Sequence, residues 1–160
     1  MAPLFLFITE EASGICRPSD GRNKVQKLSG SSGTFFTPDY PYYYPDDVTC
    51  TWTISVPDGK VVKLTFERFQ VSLLFPSVCN IDNNVRIRDH VQIRDGKKKS
   101  KVLAEYCGYY GSMGPSDVYS SGGTLSVIFN SVSDGEENSS GFKARFEAVD
   151  IQSKSSLTVT

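Results

Sequence analysis

From about residue 34 to residue 149 the apolar residues recur at every second position, the spacing that sends side chains alternately to the two faces of a strand. In Cys50-Thr51-Trp52-Thr53-Ile54-Ser55-Val56, residues 52, 54 and 56 share one face, and Thr51, Thr53 and Ser55 share the other. Pro57-Asp58-Gly59-Lys60 reads as a turn, because Pro presets one dihedral and Gly permits the reversed one. Beyond it Val62, Leu64 and Phe66 alternate with Lys63 and Thr65, so the two runs read as a hairpin with matched faces. The same period marks Val91 to Arg94, Leu125 to Phe129 and Phe142 to Glu147, and Val102 to Tyr106 follows a lysine-rich turn. No window repeats apolar residues at helical spacing over three turns. Short strands, turn signals and 13 Gly point to an all-β antiparallel sandwich or barrel. Its two inward faces would bury Trp52, Ile54, Leu64, Phe66, Leu125, Val127, Phe129 and Phe142 together.

The 160 residues suit one domain with tails. Residues 1–14 read as a degenerate or truncated export signal, 15–33 as a polar leader, 34–149 as the folded domain and 150–160 as a Ser/Thr-rich tail or linker. A net charge of −1 argues against a whole-molecule nucleic-acid binder, which needs a basic excess. No apolar run reaches the roughly 18 to 20 residues of a membrane helix, so no membrane insertion is expected. The chain holds one His, His90, which excludes sites built on two imidazoles. Cys16, Cys50, Cys79 and Cys107 are too widely spaced for a zinc site made of Cys pairs. They read as two disulfides formed in an oxidising compartment, and spacing leaves all three pairings open.

Several ordered motifs resemble a known family. Gly33-Thr34-Phe35-Phe36-Thr37-Pro38-Asp39-Tyr40-Pro41, then Tyr44-Pro45 and Cys50-Thr51-Trp52-Thr53-Ile54, are similar to the opening of a CUB domain. Leu64-Thr65-Phe66-Glu67-Arg68-Phe69 resembles its F-x-x-F strand, and Asp89-His90-Val91-Gln92-Ile93-Arg94-Asp95-Gly96 its D-x-V-x-I-x-D-G segment. Tyr106-Cys107-Gly108, Leu125 to Ser131 and Gly141-Phe142 follow in the family's order. The resemblance implies a jelly-roll-like β-sandwich with two disulfides, Cys16–Cys50 and Cys79–Cys107. It also implies a secreted, non-catalytic module for extracellular protein or glycan partners, suited to adhesion or to an extracellular matrix. The alternative is a regulatory or substrate-recognition domain of a secreted protease mosaic.

Many CUB domains bind calcium through three acidic residues, and calcium takes six to eight oxygens. Here the resemblance aligns Asp89 with the middle acid, while Ser72 and Val132 stand where the other two belong. A two-residue insertion would bring Asp134 into line, so at most Asp89 and Asp134 serve a calcium site. Residues 80–88 are longer than the family's usual connection.

Other features stand apart from that pattern. Residues 86–101 carry a net charge of +5, and 132–150 carry −3. Arg94, Lys97, Lys98, Lys99 and Lys101 are therefore candidates for binding a polyanion, and the asymmetry also suits self-association. The bland reading of these lysines is a turn kept soluble by charge. Asn138-Ser139-Ser140 is an N-glycosylation sequon. Tyr40, Tyr42, Tyr43 and Tyr44 suit either a sugar-stacking surface or a packed loop. No catalytic constellation is visible: Asp89 and His90 are neighbours on a strand and would face opposite ways.

Overall fold

The computed structural model describes residues 16, 23–72, 89–111, 114–132 and 139–151. Cys79, Asp134 and Asn138 lie outside them. The strands among these residues are β1 (Asn23–Ser29), β2 (Ser32–Phe36), β3 (Thr49–Ser55), β4 (Lys60–Val71), β5 (His90–Arg94), β6 (Val102–Tyr106), β7 (Gly108–Gly111), β8 (Val118–Tyr119), β9 (Thr124–Asn130) and β10 (Gly141–Asp150). They form two sheets. One runs β1-β3-β9-β5-β6 and the other β2-β10-β4-β7, with β8 lying along the same edge of β4 as β7.

The alternating residues face each other between the sheets. Trp52 and Ile54 of β3, Leu64 and Phe66 of β4, Leu125, Val127 and Phe129 of β9, and Phe142 of β10 are all at most 1% exposed. Phe142 packs edge-on against Phe35, Trp52, Phe66 and Phe129, and parallel to Phe69 at 6.1 Å. These contacts tie both sheets to one aromatic centre. Gly141, just before it, has φ +85, and a Cβ there would run into the Thr37 side chain. Thr37 Oγ1 instead accepts the Phe142 N–H at 3.0 Å, so glycine lets the chain turn tightly into β10.

The structure differs from the sequence reading in two places. β3 and β4 are not a hairpin, because they lie in opposite sheets. Alternation tells which residues face inward, and two strands facing one core from opposite sides show the same pattern as two paired neighbours. In addition, residues 23–29, expected within a polar leader, form β1, paired in parallel with β3. Among the described side chains of that strand only Leu28 is buried, so an edge position needs little apolar content. Cys16 and Cys50 are joined in a disulfide with Cα atoms 5.9 Å apart, which ties the chain before β1 to β3. Cys107 is buried and also disulfide-bonded.

Replacing the central ring should be costly. We expect Phe142→Ala to lower unfolding free energy by about 3–5 kcal/mol in urea titrations. The outward neighbour variant Lys143→Ala should stay within about 0.5 kcal/mol of the parent.

Candidate functional site

One end of the sandwich is organised around Tyr44 and Asp89. Tyr44 sits in the connection between β2 and β3, and Asp89 immediately precedes β5. Both are buried, at 8% and 6% exposure. The Tyr44 hydroxyl donates to Asp89 Oδ2 at 2.7 Å and accepts the Ser72 N–H at 3.1 Å. Ser72 follows β4 with φ 73, a left-handed conformation uncommon for serine. Asp89 Oδ1 accepts the Val132 N–H, just past β9, at 2.7 Å. Ser131 adds a second clamp: its hydroxyl donates to Pro45 O at 2.8 Å and accepts the Val48 N–H at 3.1 Å. The Tyr44 ring packs edge-on against Phe129, centroids 4.9 Å apart. Four chain segments distant in sequence thus converge on one phenol–carboxylate pair.

The electrostatics follow from burial. Desolvation, then the Asp89 charge and the hydrogen bond to it, push the Tyr44 hydroxyl above its ordinary value near 10. It therefore stays protonated, and remains a donor, throughout the neutral range.

The three positions aligned with acidic residues by sequence do come together. Asp89 supplies a carboxylate, while Ser72 and Val132 contribute backbone N–H groups. Those N–H groups and the phenol point positive hydrogens into the cluster, where a cation would need lone pairs. Among the described residues no group of three His, Cys, Asp or Glu side chains could hold a metal. Asp134, the other candidate calcium ligand, lies outside the described residues.

The tyrosine run divides. Tyr44 is packed, and Tyr40 packs against Phe36 with centroids 5.4 Å apart and the rings tilted by 30°. Tyr42 and Tyr43 are 76% and 61% exposed on the same braced connection.

The basic candidates lie at the other end of β5, roughly 17 Å away for five residues of strand. Arg94 is half-buried and braces the β5–β6 turn: its Nε donates to Gln92 Oε1 at 2.7 Å and Nη1 to Ser100 O at 2.6 Å. Gly96 takes φ +123 at the tip, and its carbonyl accepts the Ser126 hydroxyl at 2.6 Å. Lys97, Lys98, Lys99 and Lys101 are exposed and form no ion pair among the described residues. The turn thus displays four lysines, with Arg94 serving as its scaffold.

A family model described as CUB domain matches residues 23–146. The chain belongs to the CUB family. Its likeness to individual members agrees. The bone morphogenetic protein 1 homolog of Strongylocentrotus purpuratus is 35% identical over 120 residues, covering 74% of this chain and 17% of that protein. A solved structure of the CUB1-EGF-CUB2 domains of rat MASP-1 superposes with a TM-score of 0.64 at 31% identity, covering 79% of this chain and 43% of that one. The MASP-1 CUB2 domain bound to Ca2+ gives 0.59 at 25% identity, covering 77% and 97%. The chain spans between 3% and 17% of the length of the curated relatives it matches. As a CUB domain it is a β-sandwich whose Asp89 end joins three connections, β2–β3, β4–β5 and β9–β10.

Sequence reasoning found Asp89 but missed Tyr44 as its partner, since 45 residues separate them. Tyr44→Phe removes the donor to Asp89 and the acceptor for Ser72 N–H. It should lower stability by about 1–3 kcal/mol in urea titrations at neutral pH. Because the folded Tyr44 pKa is raised, its contribution is complete below the unfolded value near 10 and is lost as pH rises beyond it. Burial also raises Tyr106 and Tyr110. The parent should therefore lose stability as pH rises above about 10, and Tyr44→Phe should lose less of it over the same range.

Proposed function

We propose that this CUB domain is a secreted, non-catalytic recognition module that docks an extracellular protein through the loops at its Asp89 end, without calcium. The observation that carries the reading is the pairing of exposure with bracing. Tyr42 and Tyr43 project from a connection whose next residue is hydrogen-bonded into the buried Asp89 cluster. Tyrosine offers large contact area with few rotatable bonds, and a braced loop loses little entropy on docking. CUB membership supports a recognition role.

The lysine turn is a second surface in this proposal, facing polyanions such as matrix glycosaminoglycans, and it suits adhesion, a matrix role and self-association. Asn138 is proposed as a glycosylation site, to be read as a mass loss on enzymatic deglycosylation. A different reading makes the chain the regulatory or substrate-recognition part of a secreted protease mosaic. What favours it is that the matched rat MASP-1 structure is itself a chain of several domains. A protease domain encoded in the same full-length transcript would decide for it.

The test combines calcium and partner binding. Calorimetry of the oxidised protein should show no saturable heat at millimolar calcium. Binding to an array of extracellular proteins should survive chelator, and Tyr42→Ser with Tyr43→Ser should weaken it about tenfold or more without lowering stability. Saturable calcium heat with chelator-sensitive binding would overturn this reading in favour of a calcium site at Asp89 and Asp134. Lys97→Gln, Lys98→Gln and Lys99→Gln together should elute earlier from heparin, and unchanged retention would dismiss the polyanion surface.

A further inference from the structure

Phe66 and Phe69 are both 1% exposed although they lie three apart on one strand, where period-two alternation would send them to opposite faces. A β-bulge resolves the conflict. Ala144 pairs with Phe66 and Lys143 with Arg68, so Glu67 is an extra residue and both Glu67 and Arg68 turn outward. On the other edge of β4 a second irregularity follows. Phe69 pairs with Gly111 and Gln70 with Tyr109, which skips Tyr110. The Tyr110 ring packs edge-on against Phe69 at 5.4 Å, while Tyr109 is left 63% exposed. Bulges re-aim side chains, and these two flank one short stretch of β4.

Between them lies a groove of about 180 Å³. It is lined by Arg68, Gln70, Tyr109 and Ser140, with Gly111 and Gly141 beside them. The neighbouring cations on this face are engaged. Lys143 pairs with Glu67 at 3.6 Å, Arg145 with Glu147 at 3.4 Å, and Lys63 with Asp117 at 3.8 Å. Arg68, exposed at the groove, makes no ion pair or hydrogen bond among the described residues. The Ser140 hydroxyl donates to Gln70 Oε1 at 3.0 Å, which orients the carboxamide and leaves its NH2 group for another acceptor.

We propose that this groove binds the ring of a carboxylate-bearing sugar of the hexuronate class. The Arg68 guanidinium, a planar fork of donors, takes the carboxylate in bidentate fashion. The Gln70 amide takes ring hydroxyls, and the Tyr109 ring offers a stacking face. The volume equals roughly six waters at their share of liquid volume, which suits one ring and not a folded segment. An Asp or Glu side chain would use the guanidinium but leave the amide and phenol without a role. The proposal is independent of protein docking through Tyr42 and Tyr43, because the two surfaces share no residue.

Nuclear magnetic resonance titration of the isotope-labelled full chain with sodium glucuronate tests it. Glucuronate should shift the amides of Gln70, Gly111 and Gly141 saturably, and glucose and glutamate should each bind at least tenfold more weakly. Arg68→Gln should weaken glucuronate binding at least tenfold while its remaining resonances stay in place, which shows that the fold is intact. Tyr109→Ser should weaken it severalfold. No saturable shift, equal binding of glutamate, or unchanged binding by Arg68→Gln would overturn the proposal. Glutamate binding equally would instead assign the groove to acidic protein side chains.

Discussion

Phe142 meets rings from four other strands: Phe35 of β2, Trp52 of β3, Phe66 and Phe69 of β4, and Phe129 of β9. Two of those strands belong to the opposite sheet. The hydrogen-bond ladders hold each sheet together but say nothing about how the sheets stack. That relation rests on side chains, and here it rests on a cluster of edge-on rings with Phe142 in the middle. Such packing is directional as well as apolar, since a ring edge prefers a ring face. It therefore sets the relative position of the sheets and, with it, which connections meet at each end.

The Asp89 cluster depends on that placement. Tyr44 packs on Phe129, a member of the same aromatic group, and so inherits its position from the core. From there its hydroxyl links the end of β4 to the start of β5, and Asp89 passes the link on to the segment after β9. A buried carboxylate is costly unless its oxygens find donors, and here each has one. The loops are thereby held by contacts that require only this chain. The opposite end is built differently: its lysines stand on a tight turn whose hydrogen bonds are local, within residues 92–101 apart from the bonds to Ser121 and Ser126. One end is organised by contacts across the fold, the other mainly by its own hairpin.

This contrast explains what could be seen in the sequence. Every core residue expected from alternation is buried, because period two is a local property of a strand. The lysine turn was equally visible, being contiguous. Strand partnership was not, so β3 and β4 looked like a hairpin although they face each other across the core. β1 escaped notice because an edge strand in which Leu28 is the one buried residue among the described side chains carries almost no pattern. Tyr44 and Asp89 offered no shared local signal, and only the folded chain brings them together. The bulge in β4 did leave a trace. The three-residue spacing of Phe66 and Phe69 breaks the alternation, and such a break in an otherwise regular strand marks an inserted residue.

That break connects sheet geometry to binding. A regular strand gives one side chain in two to the surface, so its outward residues are spaced about 7 Å apart and share a flat face. Inserting Glu67 puts two successive side chains outward, and the second of them is the cation Arg68. Glu67 neutralises Lys143 and Arg145, whereas Arg68 is left facing the groove. The second irregularity sorts two adjacent tyrosines in the same way, Tyr110 to the core and Tyr109 to water. A sheet that must keep Phe66 and Phe69 together around Phe142 therefore cannot keep its outer face regular. The constraint that completes the core is the same one that opens a concave, polar site on the surface above it.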